Sequence, residues 1–427
     1  MYRRIVKTVT IPFEGKPLAF RVSEDNLAEV LSPRNTAPVE DLEGAFADAV
    51  ADPLGQQQLQ EWIRPRDRVL IISDDNTRLT PADRLLPPLI KTIHEAGVPD
   101  DRISIIMALG THRPMTEQEM VKKVGPEIFR RIEVFNHDWK NPDQLVDMGM
   151  SKNGTPLHVN RAALDADVVI GLGAIVPHHI PGFSGSSKIV QPGVCGAITT
   201  AETHLMSTQF EDSLLGLENN PVRQDMDDMA DRVGMRTILN VVLNSEGSVV
   251  GIFFGEMLTA FAQGVELAKA LYGVPYHETP DIVIANSCPC DVDFWQSHKS
   301  LYPAVRMVND SGTIIIVTPA PEGVSQVHTE LLNFTSRSST DIESAYRRGE
   351  IKSGVATALA VAWAKVREKA SVIMVSPGIS PEEKAKLGFT HAQDIESALK
   401  EAFRRQGSHA RVSVLTHAPD MLPIKAF

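Results

Sequence analysis

The sequence predicts an α/β fold in which two α/β domains, each built on a mainly parallel sheet, enclose an active-site cleft. At 427 residues the chain exceeds the usual size of one domain. Short buried-strand runs alternate with helical patterns, as they do in sheets that are covered on both faces. Polar side chains collect where these strands end, which is where parallel sheets bind their ligands.

The first predicted domain spans residues 1–273. It opens on "MYRRIVKTVTIPF", which alternates polar and apolar residues and therefore predicts a strand rather than a signal peptide. Strands followed by polar loops are predicted in "DRVLIISDDNTRLTP", "RISIIMALGTHRP" and "DADVVIGLGAIVPHH". After the first of them, Leu86, Ile90 and Ile93 recur at helical spacing.

A smaller second α/β domain is predicted over residues 274–418. The segment "VPYHETP" interrupts the pattern after the helix "AFAQGVELAKALYG", and a new strand begins at "DIVIANSCP". Further buried-strand runs follow in "GTIIIVTPAPEG", "ASVIMVSPGIS" and "ARVSVLTHAP". The pattern leaves open whether the tail, at about residues 419–427, returns to the first domain.

Composition excludes several classes of partner. The net charge is −12 and aromatic residues make up 6% of the chain, which argues against binding of nucleic acid. No apolar run approaches the roughly 20 residues that span a bilayer. Three cysteines, Cys195, Cys288 and Cys290, are too few for a disulfide framework. We therefore expect a cytoplasmic protein with no nucleic-acid or membrane partner.

Candidate functional residues follow the predicted strands of both domains. Because strand ends of both domains contribute, we expect them to meet in a cleft between the domains. Each residue also has an ordinary interpretation: a loop histidine bonded to backbone, a solvated lysine, or a weak loop salt bridge. The candidates are Asp75, Arg78, His112, His178, Lys188, Gln296 and Lys299.

Five ordered motifs, "DDNTR", "GTH", "PHHIPGFSGSSKIVQPG", "ETH" and "WQSHK", resemble those of a known family. In order and spacing they are similar to lactate racemase and its relatives, the 2-hydroxy-acid racemases and epimerases. That family uses a nickel-pincer nucleotide, a nickel pyridinium-3-thioamide-5-thiocarboxylate mononucleotide. The motifs run from Asp74 to Lys299, and the resemblance implies two α/β domains with the cofactor between them.

The resemblance implies roles for four residues around the cofactor. Lys188 would be joined to it covalently through a thioamide, and His204 would be the protein ligand of nickel. His112 and His178 would be the acid/base imidazoles; His178 is chosen over its neighbour because it stands ten residues before the lysine. Enzymes of cofactor biosynthesis are implied as maturation partners.

The resemblance also implies a substrate site. Arg78 and Lys299, helped by Gln296, would hold the carboxylate of a 2-hydroxy acid, with Asp75 supporting them. Trp295 would line the same site where the family often has tyrosine. These assignments agree with the chemistry: the α-hydrogen of a 2-hydroxy acid is a poor acid, so reversible hydride removal to a 2-keto acid is the easier path. Two imidazoles then serve the two enantiomers.

Some features depart from the family pattern. Ser186 and Ser187 stand where the family often has glycine and arginine before the lysine, so a cation is missing there. His298 adds a polar group beside Trp295. These departures leave the substrate open among lactate, a larger or aromatic hydroxy acid, malate and an aldonate.

Two other functions remain open at this stage. A zinc-dependent hydrolase could use His112, His178 and His204 as ligands. A non-catalytic protein could bind nickel or a ligand without turnover.

Overall fold

The structure, a computed structural model that we describe over residues 5–426, is built on two six-stranded sheets. Eleven of the twelve strands run parallel to a neighbour, and only Val249–Glu256 is purely antiparallel. The predicted fold class is therefore confirmed. In spatial order the first sheet contains Val249–Glu256, Met235–Leu243, Val168–Ala174, Val69–Asp74, Ile103–Ala108 and Glu133–Asn136. The second contains Thr390–Ala392, Ser371–Val375, Thr313–Val317, Ile282–Asn286, Val412–Leu415 and Leu27–Leu31.

Short strand pairs and helices complete the fold. The pairs are Val6–Phe13 with Lys16–Ser23, Leu145–Met150 with Pro156–Asn160, Pro177–His178 with Gly182–Phe183, and Gly273–Tyr276 with Leu422–Lys425. The α-helices are Leu42–Ala51, Leu59–Trp62, Ala82–Glu95, Glu117–Val124, Pro126–Arg131, Arg161–Asp165, Ala197–Ser207, Pro221–Arg232, Met257–Tyr272, Phe294–Ser297, Leu301–Met307, Ser339–Arg347, Gly354–Lys369, Pro381–Lys386 and Ile395–Gln406. Over the described range, none of them has the length and apolar character that a membrane span needs.

The strands form because both of their faces are covered. Every residue of Val69–Asp74 is buried. Leu70 and Ile72 pack into the core on one side of the first sheet, while Val69 and Ile71 pack into the core on the other. A strand buried in this way reads as a continuous apolar run, which is why the sequence pattern identifies it.

Each sheet has a point where the strand order reverses. In the first sheet it lies between Val69–Asp74 and Val168–Ala174, and in the second between Ile282–Asn286 and Val412–Leu415. Loops leaving the carboxyl ends of such neighbouring strands diverge to opposite faces and leave a crevice. The fold therefore offers one ligand crevice on each sheet.

The beginning of the chain differs from the predicted organisation. Residues 1–31 were expected in the first domain, but Leu27–Leu31 pairs with Val412–Leu415 in the second sheet. The hairpin Val6–Phe13 with Lys16–Ser23 packs on the same sheet through its buried apolar face. Leu27–Leu31 thus covers the edge of the second sheet at Val412–Leu415, and the hairpin covers one of its faces. The predicted first strand begins at Val6, and residues 1–4 lie outside the described range.

The C-terminal strand packs on the core that covers one face of the first sheet. Leu422–Lys425 pairs with Gly273–Tyr276, and the Leu422 side chain joins that core. Leu422 is 6% exposed, whereas Ile424 in the same strand is 49% exposed. Leu422 thus anchors this strand in the interior.

We predict that Leu422→Ala lowers the free energy of unfolding by about 2–4 kcal/mol, because it leaves a cavity in a packed core. Ile424→Ala is the matched control, and its effect should stay within about 0.5 kcal/mol. Urea unfolding followed by circular dichroism measures both variants. Equal effects of the two substitutions would show that the tail is not anchored as described.

Candidate active site

One cavity of about 110 Å³ lies where the loops of the two sheets meet. It is lined by the loops that follow three strands of the first sheet and by the segment that contains the short helix Phe294–Ser297. All nine residues singled out from the sequence line this cavity, and their roles stay predictions. They are Asp75, Arg78, His112, His178, Lys188, His204, Trp295, Gln296 and Lys299.

A chain of hydrogen bonds crosses the cavity between the two sheets. His112 Nδ1 lies 2.7 Å from Asp75 Oδ2, and His112 Nε2 lies 3.0 Å from Gln296 Nε2. Lys299 Nζ donates to Gln296 Oε1, which fixes the orientation of the amide. Because Gln296 Nε2 is a donor, His112 Nε2 is the acceptor and His112 Nδ1–H donates to Asp75. This pattern places the lone pair of His112 at Nε2, where it accepts from the Gln296 amide.

Asp75 is the anionic end of this chain. Burial opposes its ionisation, but His112, Thr77 and Arg78 together hold the pKa of Asp75 well below its ordinary value. Thr77 donates to Asp75 Oδ1 through both its backbone N–H, at 3.0 Å, and its hydroxyl, at 2.6 Å. An Asp75–Arg78 ion pair, the ordinary interpretation of these two residues, is not formed within the described range. Asp75 pairs with His112 instead.

His178 is arranged in the opposite way. Its Nδ1 accepts a hydrogen bond of 3.2 Å from the backbone N–H of Ile180, so Nε2 carries the proton in the neutral ring. Burial, and then the nearby Lys188, hold the pKa of His178 well below its ordinary value. His112 therefore has a hydrogen-bond acceptor at Nε2 and His178 a hydrogen-bond donor at Nε2, and both residues line the same cavity. The neighbouring His179 also lines the cavity, stacked between His178 and Tyr302.

Lys188 lies on the glycine- and serine-rich loop, on the one-turn helix Ser186–Ile189. Its amine has no hydrogen-bond or ion-pair partner among residues 5–426. Burial, followed by the charges of Arg78 and Lys299, holds the pKa of Lys188 well below its ordinary value. Such surroundings favour the uncharged, nucleophilic form of a lysine amine.

Arg223 supports this loop from behind. Its guanidinium donates to Ser187 Oγ at 2.9 Å, to the carbonyl oxygen of Gly185 at 3.3 Å and to that of Phe183. Ser187 Oγ in turn donates to Asp227 at 2.5 Å. The cation that the loop sequence lacks is thus present in the fold, on the helix Pro221–Arg232 and outside the cavity wall. No motif in that helix could have identified it.

His204 has the geometry of a metal ligand. Its Nδ1 donates to the carbonyl oxygen of Thr200 at 2.7 Å, one turn back in the helix Ala197–Ser207. Burial, and then Lys188, lower its pKa to about 3. The ring is therefore neutral with a lone pair at Nε2. Within residues 5–426 no three His, Cys, Asp or Glu side chains are grouped to hold a metal, so a metal at His204 would take its other ligands from a non-protein group.

Two cations form an anion site in the cavity. Arg78 and Lys299 line it, and neither forms an ion pair with a carboxylate in the described part of the chain. Burial, followed by Arg78, lowers the pKa of Lys299 to about 8. Asp420 lies near both, beside a small void that they share, and burial raises its pKa to about 6. No sequence pattern marked Asp420, which follows Val412–Leu415, one of the two strands beside the crevice of the second sheet.

Aromatic rings form one wall. Trp295 stacks on His328 with ring centroids 4.3 Å apart, and Trp139 lies 5.8 Å beyond His328. His298 Nδ1 donates to the carbonyl oxygen of Trp295 at 2.9 Å. The sequence offered no partner for His328, because the stack joins segments far apart in the chain.

The fold and the cavity define an α/β protein of two sheets in which several imidazoles and two cations line one cavity. Residues 13–215 match the family model "Lactate racemase N-terminal domain", and residues 276–421 match "Lactate racemase C-terminal domain". The chain belongs to the lactate racemase family. It is a racemase, and so an isomerase.

Two curated relatives are similar over nearly their whole length. The lactate racemase of Lactiplantibacillus plantarum is 28% identical over 97% of this chain and 99% of its own. The lactate racemase of Thermoanaerobacterium thermosaccharolyticum is 26% identical over 95% of this chain and 97% of its own.

Solved structures agree with the fold. The lactate racemase apoprotein of Thermoanaerobacterium thermosaccharolyticum superposes with a TM-score of 0.88 at 26% identity, covering 98% of this chain and 100% of that one. A crystal structure of a Thermotoga maritima protein reaches a TM-score of 0.72 at 20% identity, covering 92% of this chain and 100% of that one. At that identity the second likeness concerns the fold alone.

We predict that a small carboxylate such as lactate binds about tenfold more weakly at pH 9 than at pH 7. The pKa of Lys299 is lowered to about 8, so its charge is present below that pH and is lost as the pH rises through it. In Lys299→Arg the cation persists and the pH dependence should flatten. Isothermal titration calorimetry at both pH values measures the affinity. If Lys299→Arg lost as much affinity between pH 7 and pH 9 as the unsubstituted protein does, Lys299 would not be the group whose charge binds the carboxylate.

Proposed function

We propose that this racemase inverts C2 of a 2-hydroxy acid through a 2-keto acid intermediate, with a nickel-pincer nucleotide joined to Lys188. The observation that carries the proposal is the presence in one cavity of His112, with its lone pair at Nε2, and His178, with its N–H at Nε2. When bound, the cofactor supplies an acceptor that takes a hydride from C2 and returns it on either face. The names of the relatives support lactate as a member of the substrate class.

The side chains of the cavity then have distinct tasks. Arg78 and Lys299, with the Gln296 amide, bind the carboxylate and orient C2. His112 Nε2 accepts the hydroxyl proton of one enantiomer, and Asp75 stabilises the imidazolium that results. His178 Nε2–H donates a hydrogen bond to the carbonyl oxygen of the keto acid. When hydride returns to C2, the His112 imidazolium gives its proton back to that oxygen, so both imidazoles end in their starting states.

The residues present fit the proposed cofactor. The surroundings of Lys188 favour the uncharged amine that formation of a thioamide needs. His204 Nε2 offers the single neutral imidazole that completes a nickel site whose other ligands belong to the cofactor. Maturation by cofactor-biosynthesis enzymes is part of this proposal.

The zinc hydrolase interpretation has less support. The described residues contain no group of three His, Cys, Asp or Glu side chains that could hold zinc. Measurable racemisation distinguishes the proposed enzyme from a protein that only binds nickel.

We predict that protein produced together with the maturation enzymes carries added mass on Lys188 and contains nickel. Lys188→Ala should lose both the added mass and the nickel. Its rate of racemisation, measured by polarimetry, should fall by on the order of 10³-fold or more, because removal of a covalent attachment disables the site as a unit. His204→Ala should retain the added mass and lose nickel. Intact mass spectrometry and metal analysis measure these changes.

Lys91→Ala is the matched control, since Lys91 is an exposed lysine on the helix Ala82–Glu95. Lys91→Ala should carry the added mass, contain nickel and racemise the substrate as the unsubstituted protein does. Added mass on the Lys188→Ala protein, or activity restored to unmatured protein by zinc alone, would refute the proposal.

A further inference from the structure

A second chamber of about 130 Å³ adjoins the active-site cavity. Four residues line both spaces: Thr111, His112, Trp295 and Gln296. The chamber is therefore neighbouring space for a substituent on C2 of a bound acid. The volume accommodates roughly ten water-sized groups, whereas the methyl group of lactate would fill about one such volume.

The charges of the chamber disfavour a second carboxylate on the substrate. Arg113 is the one permanent cation among its described lining residues, and it is already paired with Glu119 at 2.7 Å and Glu322 at 3.2 Å. Asp293 adds another carboxylate to the wall. A dicarboxylic acid would thus bring negative charge towards negative charge in a half-buried space.

The free polar groups of the chamber favour hydroxyl groups. Asp293 Oδ1 accepts a hydrogen bond of 2.8 Å from the backbone N–H of Gln296. Its Oδ2, the Thr111 hydroxyl and the Gln326 amide have no hydrogen-bond partner within residues 5–426. Burial raises the pKa of Asp293 to about 6, so the ionised form gains from donors. An apolar chain would desolvate these groups and leave them unpaired.

Other residues that line the chamber are apolar. Trp295, stacked on His328 with ring centroids 4.3 Å apart, lines it together with Leu79 and Val292. Apolar side chains pack against the C–H groups of a hydroxylated chain, while the polar groups of the lining bind its hydroxyls.

We infer that the substrate of this racemase is a monocarboxylic 2-hydroxy acid of about four to six carbons whose chain beyond C2 carries further hydroxyl groups. This inference rests on the proposed function and narrows its substrate class.

The first test compares acids with the matured enzyme by kcat/KM for C2 inversion. The panel is lactate, malate, 2-hydroxyhexanoate, and the unbranched four- and six-carbon monocarboxylic acids that carry a hydroxyl on every carbon except the carboxyl carbon. The hydroxylated acids should exceed lactate and 2-hydroxyhexanoate by at least about tenfold. Preference for malate or for 2-hydroxyhexanoate overturns the inference and leaves the proposed function standing. No inversion of any acid by protein with the cofactor on Lys188 overturns both.

The second test uses Asp293→Asn, in which the amide oxygen keeps the cap on the helix Phe294–Ser297 but the negative charge is lost. The kcat/KM ratio of a hydroxylated acid to lactate should fall about tenfold. Asp291→Asn is the control, because Asp291 lies two residues away on the same loop and outside the chamber lining. An unchanged ratio in Asp293→Asn, or an equal fall in both variants, contradicts the inferred contact. Calorimetric affinity for the same acids gives a readout that does not depend on turnover.

Discussion

The hydrogen-bonded chain from Asp75 through His112 and Gln296 to Lys299 is the interaction on which the rest of the site depends. Two of its members follow strands of the first sheet and two follow a strand of the second, so the chain joins the two crevices. It also fixes the protonation pattern, since Lys299 orients the Gln296 amide and that amide makes His112 Nε2 an acceptor. Separation of the two sheets would break this pattern before it changed the fold of either.

Electrostatics gives the cavity its second property. Burial, followed by the charges of nearby cations, lowers the pKa of both Lys188 and Lys299. Asp75 and Asp420 offset only part of the positive charge. A bound carboxylate would supply further negative charge. The same surroundings favour the uncharged form of the Lys188 amine and keep His204 neutral, the states that the proposed cofactor attachment and nickel ligation require.

The fold class and the membership of the cavity were predictable from the sequence because buried strands read as apolar runs and their carboxyl ends meet at one edge. The placement of Leu27–Leu31 was not, since a strand pattern does not say which sheet edge it joins. Arg223, His328 and Asp420 were missed because each acts through contacts distant in sequence. The complementary states of His112 and His178 depend on hydrogen bonds to Gln296 and Ile180 that only the folded chain shows.

The central claim is that C2 keeps its own hydrogen while the neighbouring oxygen gains and loses a proton. Racemisation of a protiated 2-hydroxy acid in D₂O tests it directly, with deuterium at C2 measured by NMR as optical activity is lost. The account predicts complete loss of optical activity with protium retained at C2. Deuterium appearing at C2 in step with inversion would show proton abstraction from carbon and contradict it.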